Sequence, residues 1–408
     1  MPGNKRAICF MVLFIYYVGI CVFFAQRPLK NDEWRYRGYA INLTKGFYAP
    51  PDTQYLWNGP GYPLFLSVFV LSKASLIIAK YFNALFLFAA VIFFYLSLCF
   101  YIDRKKAFWC AMILGLYPPL LPELPRLLTE SMSVFLISGF AYFLVRAIKE
   151  KKTKILLIAC LFGAYLILTK VVYAYVVAAT LAISLPLCFW RRDFLRSAVI
   201  CAGCLVFCLP YLFYTYSLTG KFFYWSNSGG TALHCMSRPS ANEWGDWFNT
   251  REIFEDDRLS HHRPFFETLQ GKDYVEQDRL FKQEAIRNIR RDPFNYAMNW
   301  MSNLGRMWFD YPFAYKYQRP HTLFYMFPNA LLLSAVLFSV FPLLTSVRRL
   351  PSEILVLGIF AIVFIFGSSL IYTLSRYLVS IVPVLLVLVF YCWGEVLEIR
   401  WKDSQQQL

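Results

Sequence analysis

Residues 31–46 read NDEWRYRGYAINLTKG and residues 57–66 read WNGPGYPLFL. Both stretches lie between two apolar runs of membrane-spanning length. Two adjacent carboxylates, Asp32 and Glu33, therefore stand at the mouth of a membrane helix, followed by a helical stretch rich in Tyr and Arg. A second membrane-edge acid, Glu130, follows in LPRLLTES (residues 124–131). Acids at the rim of a bilayer are costly to keep, and the default reading of such residues is functional. Chemistry at the water–lipid boundary is the expectation.

Composition sets the class around these acids. The residues are 58% hydrophobic and only 16% charged, with a mean hydropathy of +0.45, outside the range of soluble domains. Apolar runs of spanning length recur at Ala7–Ala25, Lys80–Tyr101, Ala107–Leu121, Ser131–Ala147, Ile155–Leu168, Val171–Trp190, Ser197–Ser217, Leu323–Thr345, Ile354–Tyr372 and Tyr377–Val396. The reading is an all-α polytopic bundle of about ten transmembrane helices. It divides into a membrane domain over 1–217, whose first external loop is 26–79, a large external loop over 218–322, and closing membrane helices over 323–408. The first apolar segment is longer than a signal h-region and lacks a small-x-small cleavage site, so a retained helix is expected.

The formal charge of +16 does not point to nucleic acid, because the basic residues crowd short connections between spans. These are Lys5/Arg6, Arg104–Lys106, Arg146–Lys154, Arg191/Arg192/Arg196, Arg348/Arg349 and Arg400/Lys402. Alternating the spans puts every cluster on one side, which the positive-inside rule makes cytoplasmic, with both termini. The external stretch 26–80 is also basic, which suits a surface facing a phosphorylated lipid. Cysteine usage implies no disulfide framework. Only Cys235 lies in the large loop, and Cys201, Cys204 and Cys208 share a helix face where Cys behaves as a small hydrophobe.

Two juxtamembrane helices are expected in the first external loop. Asn31 or Asp32 can cap one that stops at Lys45-Gly46, with Asp32, Tyr36, Tyr39/Ala40 and Leu43 on one face. The helix dipole favours ionised carboxylates in its first turn, although a simple cap on a solvated face has the same spacing. From Pro63 to Lys73 an apolar helix of roughly 16 Å is too short to cross a core of about 30 Å. It belongs in the outer interface. Near Glu130, Pro118-Pro119 ends one helix and Glu123, Arg126 and Glu130 crowd the next turn, where an Arg–Glu pair near the headgroups is the bland alternative.

Asp32-Glu33, Pro60-Gly61-Tyr62-Pro63, Leu128-Thr129-Glu130, Leu168-Thr169-Lys170 and Arg376-Tyr377 before a proline-containing helix come in a familiar order. The chain resembles the C-superfamily (GT-C) membrane glycosyltransferases, in the branch holding protein O-mannosyltransferases and the bacterial lipid A aminoarabinose transferase. It departs from many relatives in having Asn58-Gly59 where a Lys precedes the loop proline, and Lys170 where Arg is common. The resemblance implies transfer of a hexosyl or pentosyl sugar from a polyprenyl-phosphate donor at the external face of a membrane, with a bacterial inner membrane the expected location. The acceptor would be a glycolipid, glycan or protein. By analogy Asp32 is the base toward the acceptor hydroxyl. Glu33 and Glu130 would hold the acceptor or a divalent cation, Mg or Mn. Arg376 and Lys170 would stabilise the leaving phosphate, and Tyr36, Tyr62, Arg126 and Tyr377 complete the expected substrate contacts.

The insert 218–322 is too long for a connector. Tyr224, Trp225, Trp244 and Trp247 are candidates for stacking on sugars, or for interfacial anchoring. Residues 273–291 read as a charged helix stopped by Asp292-Pro293. Beyond it, Ala297, Trp300/Met301, Leu304 and Met307/Trp308 form an apolar stripe. His261-His262 near Glu255–Asp257 invite a metal reading, without a spaced partner motif to support it. The Asn42-Leu43-Thr44 sequon is read as incidental. Two other classes fit a polytopic chain: a lipid-linked polysaccharide polymerase or ligase, which would lean on Arg and His in the large loop, and a transporter or lipid flippase, which would show paired half-repeats.

Overall fold

The computed structural model describes residues 3–316, 320 and 322–396, so the Arg400/Lys402 cluster lies outside the described residues. No strand occurs among the described residues. The first half comprises helices α1 (Gly3–Phe24), α2 (Asp32–Thr44), α3 (Gly61–Leu71), α4 (Leu76–Leu98), α5 (Arg104–Gly115), α6 (Glu130–Glu150), α7 (Thr153–Thr169), α8 (Val172–Trp190), α9 (Phe194–Phe207) and α10 (Leu209–Thr219). The insert carries α11 (Gly229–Ser237), α12 (Thr250–Glu255), α13 (Arg263–Glu267), α14 (Tyr274–Arg291) and α15 (Pro293–Phe309). The chain closes with α16 (Thr322–Thr345), α17 (Ser352–Ser369), α18 (Ser375–Val379) and α19 (Val382–Tyr391).

Among the described residues six helices (α1, α4, α6, α8, α16 and α17) are long and apolar enough to cross a membrane, and α9–α10, bent by 46°, make a seventh if read as one span. The protein is a multi-pass membrane protein. The remaining expected spans fall short of that length among the described residues, for local reasons. Helix α7 has 17 residues, about 26 Å of rise, just short of the hydrocarbon core. Helix α5 ends at Gly115, and Pro118-Pro119 turn the next residues into a 3₁₀ segment, Pro118–Glu123. The last expected span is broken between α18 and α19, where Pro383 restarts the helix.

Contacts sort the two ends of the bundle. At one end Arg6 donates to the Arg104 carbonyl, Lys149 pairs with Glu353 at 3.4 Å, Arg191 donates to the Leu350 carbonyl and Arg196 to that of Ala147. The basic connections therefore gather there. At the other end Lys80 donates to the carbonyls of Ala25 and Arg27, Asn83 to those of Leu124 and Arg126, and the Tyr372 N–H to Ala232 in the insert. Helices α2, α3 and α18 lie at this second end.

Local differences from the sequence reading have simple causes. Helix α2 begins at Asp32 without a side-chain cap from Asn31, whose φ is 44°; the Asp32 carboxylate has arginine partners instead. Helix α3 starts two residues before Pro63 and shows Leu64, Val68 and Leu71 outward, at lipid-facing spacing. In α15 the buried side is mixed. Met307 and Trp308 of the expected apolar stripe are buried and Ala297 and Met301 are exposed, while Asn299, Asn303 and Arg306 are also enclosed, because these polar groups satisfy backbone carbonyls of neighbouring segments.

Candidate active site

The residues singled out in distant stretches of sequence meet at the insert-bearing end. The two oxygens of Asp32 are divided between two guanidiniums: Arg35 donates to Oδ1 at 2.9 Å and Arg376 to Oδ2 at 2.7 Å. Arg35 also donates to Asn58 Oδ1 at 3.2 Å. Burial raises the Asp32 carboxyl, but the charges of Arg376 and Arg35 and their hydrogen bonds outweigh it and hold the group below its ordinary value.

Lys170 reaches the same place through glycine packing. A Cβ on Gly59 would sit 2.2 Å from the Leu168 carbonyl oxygen, and one on Gly61 would sit 2.7 Å from the Thr169 nitrogen. Only glycines let the 57–63 loop press on the end of α7, and Tyr165 seals the contact by donating to the Gly61 carbonyl at 2.8 Å. Lys170 then points its Nζ to within 3.4 Å of Glu130 Oε1 and 5.0 Å from the centre of the Tyr377 ring. The Tyr36 and Tyr62 rings meet edge to face at 5.3 Å beside them, and Asn58 Nδ2 donates to the Tyr36 hydroxyl.

Several polar atoms buried here have no hydrogen-bond partner: Tyr62 OH, Glu123 Oε2, Glu130 Oε2 and Arg376 Nε, while Lys170 Nζ has only its ion pair with Glu130 at 3.4 Å. Unsatisfied buried groups are expensive in a folded protein and call for an explanation. The acids Asp32, Glu123 and Glu130 face the cations Arg35, Arg126, Lys170 and Arg376, three against four. Burial and the nearby Glu130 also push the Glu123 carboxyl up to about 7, against the pull of Arg126, which deepens the positive excess below that pH. An anion with several acceptor oxygens would satisfy both the charge and the free donors.

Two expected site residues have other partners. Glu33 is buried, and its carboxylate accepts from Arg27 at 2.9 Å, the Lys30 N–H at 3.0 Å and the Leu127 N–H at 2.8 Å. It ties the first loop to the turn before α6. Arg126 pairs with Glu123 at 3.1 Å with its side chain 40% exposed, as the bland reading of that turn has it. The divalent cation expected between Glu33 and Glu130 does not fit these contacts, since Arg27 and Lys170 already supply the positive charge to those carboxylates. Among the described residues the metal-ligating group of three is elsewhere, at Glu243, His261 and His262, with ligand atoms within 4.8 Å of one another. There His262 and His261 share the buried Glu243 carboxylate rather than the Glu255–Asp257 acids beside them in sequence.

The insert contributes a cleft of about 460 Å³ bordered by Arg35, the partner of Asp32, and Trp57 from the first loop, and by Trp247 and Tyr274 from the insert. Of the four insert aromatics proposed from sequence, Trp247 alone lines it. Trp225 is fully buried in the core and Tyr224 donates to Asp278 at 3.0 Å, so neither ring face is open to a sugar, while Trp244 is exposed outside the cleft. Sequence reasoning missed Arg35 and Trp57. For Arg35 the i,i+3 spacing from Asp32 was an available signal; for Trp57 there was none.

No protein-family model and no curated protein matches the chain. Solved structures do. The apo oligosaccharyltransferase of Archaeoglobus fulgidus is 14% identical with a TM-score of 0.53, over 93% of this chain and 50% of that one. Oligosaccharyltransferase AglB from the same organism, in complex with an inhibitory peptide and a dolichol-phosphate, is 13% identical with a TM-score of 0.51 over the same shares. ArnT from Cupriavidus metallidurans, bound to undecaprenyl phosphate, is 12% identical with a TM-score of 0.44, over 96% and 78%. The fold is shared with these archaeal oligosaccharyltransferases, and the chain spans about half their length.

Proposed function

We propose that this chain is a glycosyltransferase that moves a sugar, hexosyl or pentosyl, from a polyprenyl-phosphate donor to a hydroxyl of a lipid, glycan or protein at the external face of a membrane. The observation that carries the reading is the group of buried donors with unused hydrogen-bonding capacity, Arg376 Nε, Tyr62 OH and Lys170 Nζ (ion-paired to Glu130 but without a hydrogen bond), next to a carboxylate at the membrane rim. The dolichol-phosphate in the AglB complex supports a lipid phosphate as the anion those donors await. The gathering of basic connections at the opposite end supports an external site with both termini cytoplasmic, in a bacterial inner membrane.

In this reading Arg376 and Lys170 grip the donor phosphate, and Arg376 loosens its hold on Asp32 as it does so. The carboxylate regains basicity and takes the proton of the acceptor hydroxyl. The acceptor oxygen bonds to the anomeric carbon from the face opposite the phosphate. The carbon–oxygen bond to phosphate breaks, and its electron pair leaves on polyprenyl phosphate, whose growing charge the two cations stabilise. The sugar is inverted. Glu130 holds Lys170 in place and Glu33 braces the loop, each with a protein cation, Lys170 or Arg27, in the position beside its carboxylate.

The test is transfer by the purified chain in nanodiscs. Polyprenyl-phosphate hexose or pentose should yield free polyprenyl phosphate and a glycosylated acceptor. Failure of the protein to bind undecaprenyl phosphate at all would remove the basis of the reading.

A further inference from the structure

The cleft that reaches Asp32 through Arg35 has a chemistry of its own. Its walls are aromatic. Trp57 and Trp247 stand perpendicular at 6.0 Å, and Tyr55 and Tyr274 pack at 4.5 Å. Trp57, Trp247, Tyr55 and Tyr274 are only partly buried, so ring surface remains open. The uncharged polar groups between them are amides, among them Asn227 and Gln277, and the hydroxyls of Thr231 and Thr250. The charged groups at its border are already neutralised. Arg35 is bonded to Asp32 and lies 5.4 Å from the centre of the Trp57 ring. Asp278 accepts from Tyr224, Lys282 and the Gly230 N–H.

One atom in this lining points to a ligand. Asn227 is 2% exposed and its Nδ2 donates to the Gln54 carbonyl at 2.7 Å, but its Oδ1 has no partner. Because Nδ2 is fixed by that carbonyl, the free atom is the oxygen, an acceptor awaiting a donor such as a hydroxyl. A neutral ring with apolar faces and hydroxyl edges answers every feature: C–H faces against Trp and Tyr, O–H groups to Asn227 and the amides. A peptide would want free backbone-pairing edges, and there is no strand among the described residues to supply one. The volume of about 460 Å³ lies within the usual range of small-ligand sites, about 300–1,000 Å³.

We infer that this cleft binds a carbohydrate, so that the acceptor is a sugar residue of a glycan or glycolipid, held by Trp57, Trp247 and Asn227 with one hydroxyl turned toward Asp32. This rests on the glycosyl-transfer reading for the word acceptor; the binding itself does not. Arg35 joins the two places, since it touches the Trp57 ring and the Asp32 carboxylate at once.

The experiment uses the full-length protein in detergent, probed with a broad glycan array and, separately, with a random peptide library. Undecaprenyl phosphate binding is measured alongside. The expectation is glycan binding that weakens about 3- to 10-fold in Trp57→Ala and in Trp247→Ala, as loss of one ring contact implies. Trp247→Phe should retain part of the affinity, and Asn227→Ala should weaken binding without unfolding the protein. None of these changes should alter undecaprenyl phosphate binding. Peptide binding lost on the same substitutions, or no glycan bound at all, would overturn the inference. Glycan binding without lipid-phosphate binding would leave the cleft standing and remove the transfer reading instead.

Discussion

Replacing Asp32 with Asn separates the roles that its two guanidinium contacts suggest. Asn keeps the volume and can still accept one hydrogen bond, but cannot take a proton from the acceptor. Loss of a general base costs about 10²–10⁴ in rate. The structural cost should be smaller. Arg376 keeps Glu130 nearby, and Asp32 is 19% exposed in its side chain, so weakening the pair should cost about 1–3 kcal/mol. Arg376 freed from Asp32 has one competitor fewer, so affinity for undecaprenyl phosphate should hold or rise. The assay is transfer from a synthetic polyprenyl-phosphate sugar by wild type and Asp32→Asn at matched protein levels, with lipid-phosphate binding read in parallel. Equal rates would falsify the assignment and turn attention to Glu130. Donor affinity falling as far as the rate would make Asp32 a positioning residue for Arg376. The carboxyl is held below its unfolded value, so its contribution to stability is present above pH ~4 and lost as pH falls through the folded pKa; Asp32→Asn should flatten the acid limb of a thermal-melt series.

Arg376→Lys should keep part of the transfer activity and lose the rest, because Lys lacks the planar fork that grips two phosphate oxygens; full activity in Arg376→Ala would reduce the residue to a structural contact. Gly61→Ala should destabilise by about 1–3 kcal/mol and slow transfer about 10²-fold through a shifted Lys170, and a fully active, normally melting variant would show that the loop does not position that lysine. Glu123 has a raised pKa of about 7, so the folded state holds a proton that the unfolded state releases above pH ~4.3, and stability falls as pH rises through this window. Glu123→Gln should therefore gain on the order of 1–3 kcal/mol relative to wild type between pH 5 and pH 8, and an identical difference in melting temperature at both pH values would refute the shift. A Cys placed at position 273 should label from the outside of intact cells, and labelling only from the cytoplasmic side would invert the proposed topology.

The bundle and the residues of its rim were legible in the sequence to different depths. Hydropathy marked the apolar segments, because a lipid-facing helix must be apolar over most of its length; at α5, α7 and α19 it marked segments whose helices are shorter than a full span, since neither a nearby proline nor an early helix end lowers hydropathy. Asp32, Glu130, Lys170 and Arg376, named from separate stretches of sequence, lie together in the fold. The contacts of Glu33 with Arg27, Lys30 and Leu127 were not legible, because a buried brace and a catalytic acid look alike until the partners are seen. The polar face of α15 was hidden for a similar reason. Asn299, Asn303 and Arg306 share one helix side at the same periodicity as an apolar stripe, and only the carbonyls they meet decide which side is buried. The cleft could not be read at all, because residues 55–57 and 247–277 come together only through the fold.

That polar face of α15 also bears on how the protein could diverge. Asn303 donates to the carbonyls of Ser369 and Ile371 at 2.8 and 2.7 Å and accepts from the Thr373 N–H, while Arg306 donates to the carbonyls of Trp244 and Gly245. One helix thus fastens the tryptophan-bearing loop to the strand of chain that runs into Arg376. Swapping the loop from a relative to change what is glycosylated would leave those carbonyls stranded unless α15 travelled with it. On the proposed reading the unit that would set acceptor choice is 229–309 together, and a graft cut at Asp292 should yield a folded membrane core with its arginine out of place.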